Sequence, residues 1–136
     1  MEKITVLVID DNELNLKLFK TLLTLGKYKV LEAANAEKGI ELVHNHHPDL
    51  ILMDIQLPGI DGLTAIHIIK EDPDLKEIPI IALTSYAMPG DEKKAFEAGC
   101  DGYITKPIDT RSFLDTINQF IRHSKGNSGK GRATGH

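Results

Sequence analysis

A chain of 136 residues with 41% hydrophobic content falls in the range of one domain with a single core, and leaves little from which to build a second. Its 16 Lys+Arg against 20 Asp+Glu give a net charge of −4, and the 13 residues from 124 to 136 carry Lys125, Lys130 and Arg132 but no acid, so the body is closer to −7. That excludes the basic footprint of a nucleic-acid-binding domain; no apolar run approaches the ~18 residues of a membrane span, and a lone Cys100 permits no internal disulfide.

The amino-terminal run ITVLVI, residues 4 to 9, reads as a first strand and meets Asp10-Asp11 at its end, too early for a signal peptide. Leu14, Leu16, Leu18, Phe19, Leu22 and Leu23 follow with several three- and four-residue spacings, a helix that Gly26 stops. YKVLEA, 28 to 33, is the second strand, and Ile40, Leu42 and Val43 mark the second helix. That helix runs into HNHHP, 44 to 48. A zinc site needs three or four ligands in a closed geometry, and no cysteine lies nearby, so His44, His46 and His47 read as a solvated helix end.

LILM, 50 to 53, is a third strand that ends on Asp54, and the chain then turns at Pro58-Gly59. Leu63, Ile66, Ile68 and Ile69 give the third helix, Pro73 and Pro79 bracket the next loop, and IPIIAL, 78 to 83, gives the fourth strand, ending in Thr84-Ser85. MPGDEKKAFEAG, 88 to 99, is predicted as a fourth helix with Asp91 and Glu92 in the first turn, where the dipole favours acids. Cys100 follows as a small packing residue at a helix-to-strand turn. GYIT, 102 to 105, is the fifth strand, ending in Lys106-Pro107, and Phe113, Leu114, Ile117, Phe120 and Ile121 give the fifth helix. Residues 124 to 136, with four Gly and one apolar side chain, do not repay the entropy of ordering and read as a disordered tail, a linker stub or a cloning remnant after a domain of residues 1 to 123.

Five β-α repeats with apolar strands predict an α/β fold of the flavodoxin-like, doubly wound (βα)5 type, a parallel sheet of order 2-1-3-4-5 with helices on both faces. Such sheets bind ligands outside the carboxyl ends of their strands. Asp10, Asp11, Asp54, Thr84 and Lys106 all fall there. Singly, each has an ordinary explanation; a lone acid at a strand end is usually a cap or turn residue. Together, three carboxylates repel unless positive charge compensates, which Lys106 and a hard, oxygen-seeking cation such as Mg²⁺ would provide. In that setting Asp54 is placed to act as a carboxylate nucleophile toward a phosphoryl group, with Thr84 donating to a phosphoryl oxygen.

VLVIDDN (6 to 12), DLILMDIQLPGIDG (49 to 62), IIALTSYAM (80 to 88) and GYITKP (102 to 107) resemble, in order and spacing, the signature segments of the receiver domain of two-component response regulators. The resemblance implies that Asp54 is phosphorylated by a histidine kinase or histidine phosphotransfer protein. It also implies that Asp10 and Asp11 hold Mg²⁺ together with Asp54 and the backbone carbonyl of Gln56, with Asp11 a direct ligand. By the same resemblance Lys106 contacts the phosphoryl group and has a cis bond to Pro107, Thr84 is the switch hydroxyl, and Tyr103 is the switch aromatic. Gln56 and Tyr86 hold positions that tune phosphate lifetime. The fourth helix, fifth strand and fifth helix would meet a downstream protein partner. Within the family, the DNxxN run of Asp11, Asn12 and Asn15 is similar to DivK-type single-domain regulators and to the receivers of hybrid histidine kinases.

The implied protein is a cytoplasmic signalling switch, not a metabolic enzyme, whose catalysis is limited to its own phosphorylation and dephosphorylation; the domain itself is expected to engage neither nucleic acid nor membrane. Two other classes fit less well. A phosphohydrolase of the haloacid dehalogenase type places its acids as DxD after the first strand, whereas Asp10 and Asp11 are adjacent, and a flavin-binding module needs a phosphate cradle where this chain has acidic DDNE. A receiver that signals only by constitutive binding would not need the phosphorylation residues that are all present.

Overall fold

The computed structural model of the chain describes residues 3–57, 59–84 and 90–128. Strands and helices alternate throughout: β1 Thr5–Ile9, α1 Glu13–Leu25, β2 Lys29–Ala33, α2 Ala36–His46, β3 Leu50–Asp54, α3 Gly62–Glu71, β4 Ile80–Thr84, α4 Asp91–Ala98, β5 Gly102–Thr105 and α5 Phe113–Ser128. All strand pairs are parallel and the sheet order is β2-β1-β3-β4-β5, so the doubly wound flavodoxin-like topology read from the sequence is the one observed.

The two-residue period of the strands divides the core into two layers. Leu7, Ile9, Ile51, Met53, Ile80 and Ala82 face α2, α3 and α4, meeting Val43, Ala65, Ile66, Ile69 and Ala95. Val6, Val8, Leu50, Leu52, Ile81 and Leu83 face α1 and α5, meeting Phe19, Leu22, Leu23, Phe113, Ile117 and Ile121. The Phe19 and Phe113 rings tie α1 to α5 with centroids 5.5 Å apart. Central strands β3 and β4 are buried along their whole length, which is why LILMD and IIALT are almost continuously apolar; the edge strand β2 keeps Lys29 and Glu32 in solvent.

The helix starts are set by short polar side chains. Asn12, Asn35 and Asp61 each accept a backbone N–H three residues on, capping α1, α2 and α3. Gly26 and Gly99 close α1 and α4, Gly99 in the left-handed region at φ +116°. The fourth helix is shorter than the predicted span of 88 to 99. It begins at Asp91 after Gly90, whose φ of +93° lies outside helical backbone, while Met88 and Pro89 fall outside the described residues.

Two further expectations need correction. Leu14, Ile68 and Phe96 are 76%, 41% and 44% exposed, so these three members of the apolar helix patterns do not face the core. α5 also continues to Ser128, into the segment read as a tail from 124. Composition tests whether a segment can build its own core, but extending a helix that is already nucleated requires only one backbone hydrogen bond per residue fixed. Among the described side chains, the last buried one is Ile121.

Candidate functional site

The polar groups that the sequence placed at strand ends do converge. β1 stops at Ile9, and Asp10 continues its line, its N–H donating to Ala33 O at 3.1 Å before the chain turns into α1. Because Asn12 takes the cap, neither Asp10 nor Asp11 is spent on the helix. Asp54 is the last residue of β3, and α3 starts eight residues later on the Asp61 cap, so Asp54 does not cap a helix either. Lys106 directly follows β5; its N–H donates to Thr84 O at 2.7 Å, and its peptide bond to Pro107 is cis.

Asp10 and Thr84 are fully buried, Asp54 is 4% exposed and Asp11 lies in solvent at the rim. The Lys106 ammonium donates to Asp10 Oδ2 at 2.8 Å and to Asp54 Oδ2 at 3.2 Å, bridging two carboxylates from different strands. Asp54 Oδ1 accepts the Gln56 N–H at 2.8 Å. Asp10 Oδ1 accepts the Asn12 N–H at 2.9 Å, and Asp10 Oδ2 also accepts from Asn15 Nδ2 at 3.3 Å. Nothing in the sequence reading singled out a contact for Asn15; the available signal was its place three residues after the cap, one turn into a helix that starts beside Asp10.

Burial pushes the Asp54 carboxyl above its ordinary value, against the opposing effects of the Gln56 N–H and the Lys106 charge, while Asp10 adds to the rise. For Lys106, burial works against the charged form, but the hydrogen bond to Asp10 and the charges of Asp54 and Asp10 outweigh it, and its pKa is raised. One ammonium is therefore shared by two buried acids. Asp10, Asp11 and Asp54 can each offer a carboxylate oxygen with all three atoms within 4.8 Å of one another, the only such group of three or more potential ligands among the described residues. An all-oxygen donor set with surplus negative charge suits a hard divalent cation of the Mg²⁺ kind.

Tyr103, on β5, is half-buried and packs against the α2–α3–α4 core layer. Gln56 is exposed on the loop after β3. Ser85 and Tyr86 lie outside the described residues. His44, His46 and His47 are exposed at the end of α2, and His44 sits 3.8 Å from Asp72 without assembling a ligand set. Cys100 is buried, and burial together with the Asp101 charge pushes its thiol to about 11, as suits a packing residue.

The geometry has close counterparts. Residues 6–118 match the family model described as the response regulator receiver domain. The polar-differentiation response regulator DivK of Brucella ovis is 43% identical over 117 residues, covering 86% of this chain and 95% of the relative. A CheY-like response regulator receiver domain protein from Methanospirillum hungatei superposes with a TM-score of 0.87 at 27% identity, over 93% of this chain and all of the other. The receiver domain of a sensor histidine kinase from Pseudomonas aeruginosa, whose crystal structure has a magnesium ion coordinated in the active site cleft, gives 0.81 at 28% identity, over 88% and 98% of the two chains. The model match over most of the chain and the DivK likeness agree with the sheet order and with the acids gathered at its carboxyl edge: the chain belongs to the response regulator receiver domain family.

Proposed function

We propose that this domain is a phosphorylation-dependent switch in a two-component phosphorelay, with Asp54 as the phosphoacceptor. The observation that carries this reading is a nearly buried carboxylate at the end of the central strand β3, bridged by Lys106 to Asp10, with Asp11 at its open side. An oxygen of Asp54 attacks the phosphorus of a phosphohistidine on a histidine kinase or phosphotransfer protein; the P–N bond breaks, its electron pair stays on the imidazole nitrogen, and that nitrogen takes up a proton from solvent. Water later attacks the acyl phosphate and returns the carboxylate and inorganic phosphate. Catalysis by this chain is confined to those two steps, and it is not a metabolic enzyme.

The chain's contribution is position and charge. The Gln56 N–H fixes one oxygen of Asp54, and the ammonium of Lys106 faces the other. An ammonium has three N–H donors, two of them used on Asp10 and Asp54, so Lys106 can follow charge as it develops on the phosphoryl oxygens. Asp10, Asp11, Asp54 and the Gln56 carbonyl are the residues that would hold Mg²⁺, Asp11 directly; the ion supplies positive charge that offsets the carboxylates and the transferring phosphoryl group. Thr84 closes β4 beside this site and would donate its hydroxyl to the phosphorylated form, with Tyr103 on the neighbouring β5 following it inward. The surface of α4, β5 and α5 then changes its affinity for a downstream protein.

A lone buried Cys100, an acidic body and the lack of any described helix long and apolar enough to cross a membrane suit action in the cytoplasm through protein partners, without nucleic acid or membrane contact by the domain. Incubation with Mg²⁺ and acetyl phosphate, followed by intact-mass analysis, tests the reading. One phosphoryl adduct on the wild type and none on Asp54→Asn is the expected result; an adduct that survives Asp54→Asn, or no adduct and no beryllofluoride binding, would overturn it.

A further inference from the structure

Among the described residues, Asn15 brings to the site a polar side chain that the phosphorylation chemistry above does not use. We propose that Asn15 is a positioning residue, which acts through Asp10 to release Lys106 toward the phosphoryl group; the inference rests on Asp54 being the phosphoacceptor. Asp10 has no solvent exposure, so apart from the cation that it would help to hold, its carboxylate oxygens depend on protein donors. Oδ1 has the Asn12 N–H at 2.9 Å, and Oδ2 has two donors, Lys106 Nζ at 2.8 Å and Asn15 Nδ2 at 3.3 Å. Because the acceptor is a carboxylate, the amide must turn its nitrogen toward it.

The shared lysine lies closer to Asp10 than to Asp54, 2.8 against 3.2 Å. At rest it therefore leans toward the carboxylate that does not accept phosphate. When a phosphoryl group adds oxygens at Asp54, Lys106 must loosen its hold on Asp10, and a buried carboxylate does not give up a donor cheaply. The Asn15 amide remains on the same oxygen and keeps it satisfied as the lysine moves.

The amide is held in place by the start of α1. Asn12 donates its N–H to Asp10 Oδ1 and accepts the Asn15 N–H at 3.0 Å, and Asn15 returns to Asp10 Oδ2, which closes a ring through residues 10, 12 and 15. Within that first turn Glu13 and Leu14 point to solvent while Asn15 is half-buried, so the ring aims the amide at the strand end. Ordinary capping uses only the backbone of Asn15. The reach of its side chain to a buried site carboxylate is the additional feature.

The test compares wild type, Asn15→Ala and the isosteric Asn15→Asp, each also in a Lys106→Met background. Two quantities are read: the rate of Asp54 phosphorylation by acetyl phosphate at saturating Mg²⁺, and the Lys106 Nζ resonance in metal-free protein. With the lysine left as the only side-chain donor on Asp10 Oδ2, Asn15→Ala is expected to slow phosphorylation about fivefold and Asn15→Asp more, to shift the Lys106 resonance, and to change the Lys106→Met rate less than twofold. Equal slowing in both backgrounds, an unmoved lysine resonance, or an unchanged rate in both Asn15 variants would overturn the proposal while leaving Asp54 as acceptor. A wild-type protein that takes no phosphoryl group would overturn both readings. If Asn15→Ala melts too low to assay, Asn15→Asp, which keeps the size and the backbone cap, decides the question alone.

Discussion

Asp54 illustrates how a residue can be stable in place and still costly to keep charged. Burial raises its pKa, so ionisation destabilises the folded chain: below its ordinary value of 3.8 it is protonated whether folded or unfolded, and no cost arises. As the pH rises past that value toward the raised folded one, the unfolded chain loses its proton first and the cost grows, then stays constant at higher pH. Asp54→Asn should therefore melt higher than wild type at pH 7 without Mg²⁺, and the gain should vanish as the pH is lowered through the ordinary carboxylate range, which melting curves at successive pH values will show. Lys106 remains paired with Asp10 in that variant, so the substitution does not strand the ammonium. Lys106→Ala has the opposite effect. It leaves buried Asp10 and Asp54 facing each other without their shared cation, and should cost about 3 kcal/mol at neutral pH, read as a lower denaturant midpoint. The Lys106 contribution is fully present below 10.5, its ordinary value, and is lost only as the pH rises through the higher folded value.

At the scale of elements, the site depends on how closely α3 approaches the end of β3. A Cβ on Gly62 would lie 2.3 Å from Asp54 O and 2.4 Å from Ile55 Cα, both backbone atoms that cannot step aside. Gly39 in α2 is as crowded, but its neighbour at 2.4 Å is the tip of the Ile9 side chain, which can rotate. Gly62→Ala should thus displace the phosphoacceptor and abolish the acetyl phosphate reaction, whereas Gly39→Ala should lower stability by roughly 1–3 kcal/mol and retain it; intact-mass analysis of the two variants compares them. A second connection lies away from the chemistry. Lys70, near the end of α3, donates to Lys76 O at 3.0 Å, Ile78 O at 2.9 Å and Asp101 Oδ2 at 2.9 Å, and the same Asp101 oxygen accepts the Ile80 N–H. It satisfies the carbonyls of the loop into β4 and ties that loop to the turn before β5. Lys70→Ala should cost about 2 kcal/mol in chemical denaturation and leave the phosphorylation rate within twofold of wild type.

For the whole molecule, one ammonium only partly offsets three clustered acids, and any cation bound only by the folded form stabilises it by mass action. At a Mg²⁺ concentration about a hundredfold above the dissociation constant, the stabilisation should be about 2.7 kcal/mol, measurable as a rise in melting temperature. Asp11→Ala, which removes an exposed residue with no role in the core, should abolish most of that rise while leaving the metal-free melting temperature near that of wild type.

The amino-acid sequence by itself determined the class of fold and the candidate residues. Short, nearly continuous apolar runs, alternating with helical spacing and punctuated by Gly26, Pro48 and Gly99, admit few arrangements other than a doubly wound parallel sheet, because both faces of every central strand must be covered. Once that sheet is given, residues just past the strands share one edge, which is why Asp10, Asp11, Asp54, Thr84 and Lys106 were legible as a group. What a linear pattern does not contain is distance. That Lys106 bridges Asp10 and Asp54, that Asn12 rather than an aspartate caps α1, and that the Asn15 amide turns back to Asp10 follow from the approach of separate strands and one helix turn. The same holds where the pattern misled: Leu14 fits the helical spacing yet is exposed, because a helix buries only the residues that its neighbours reach.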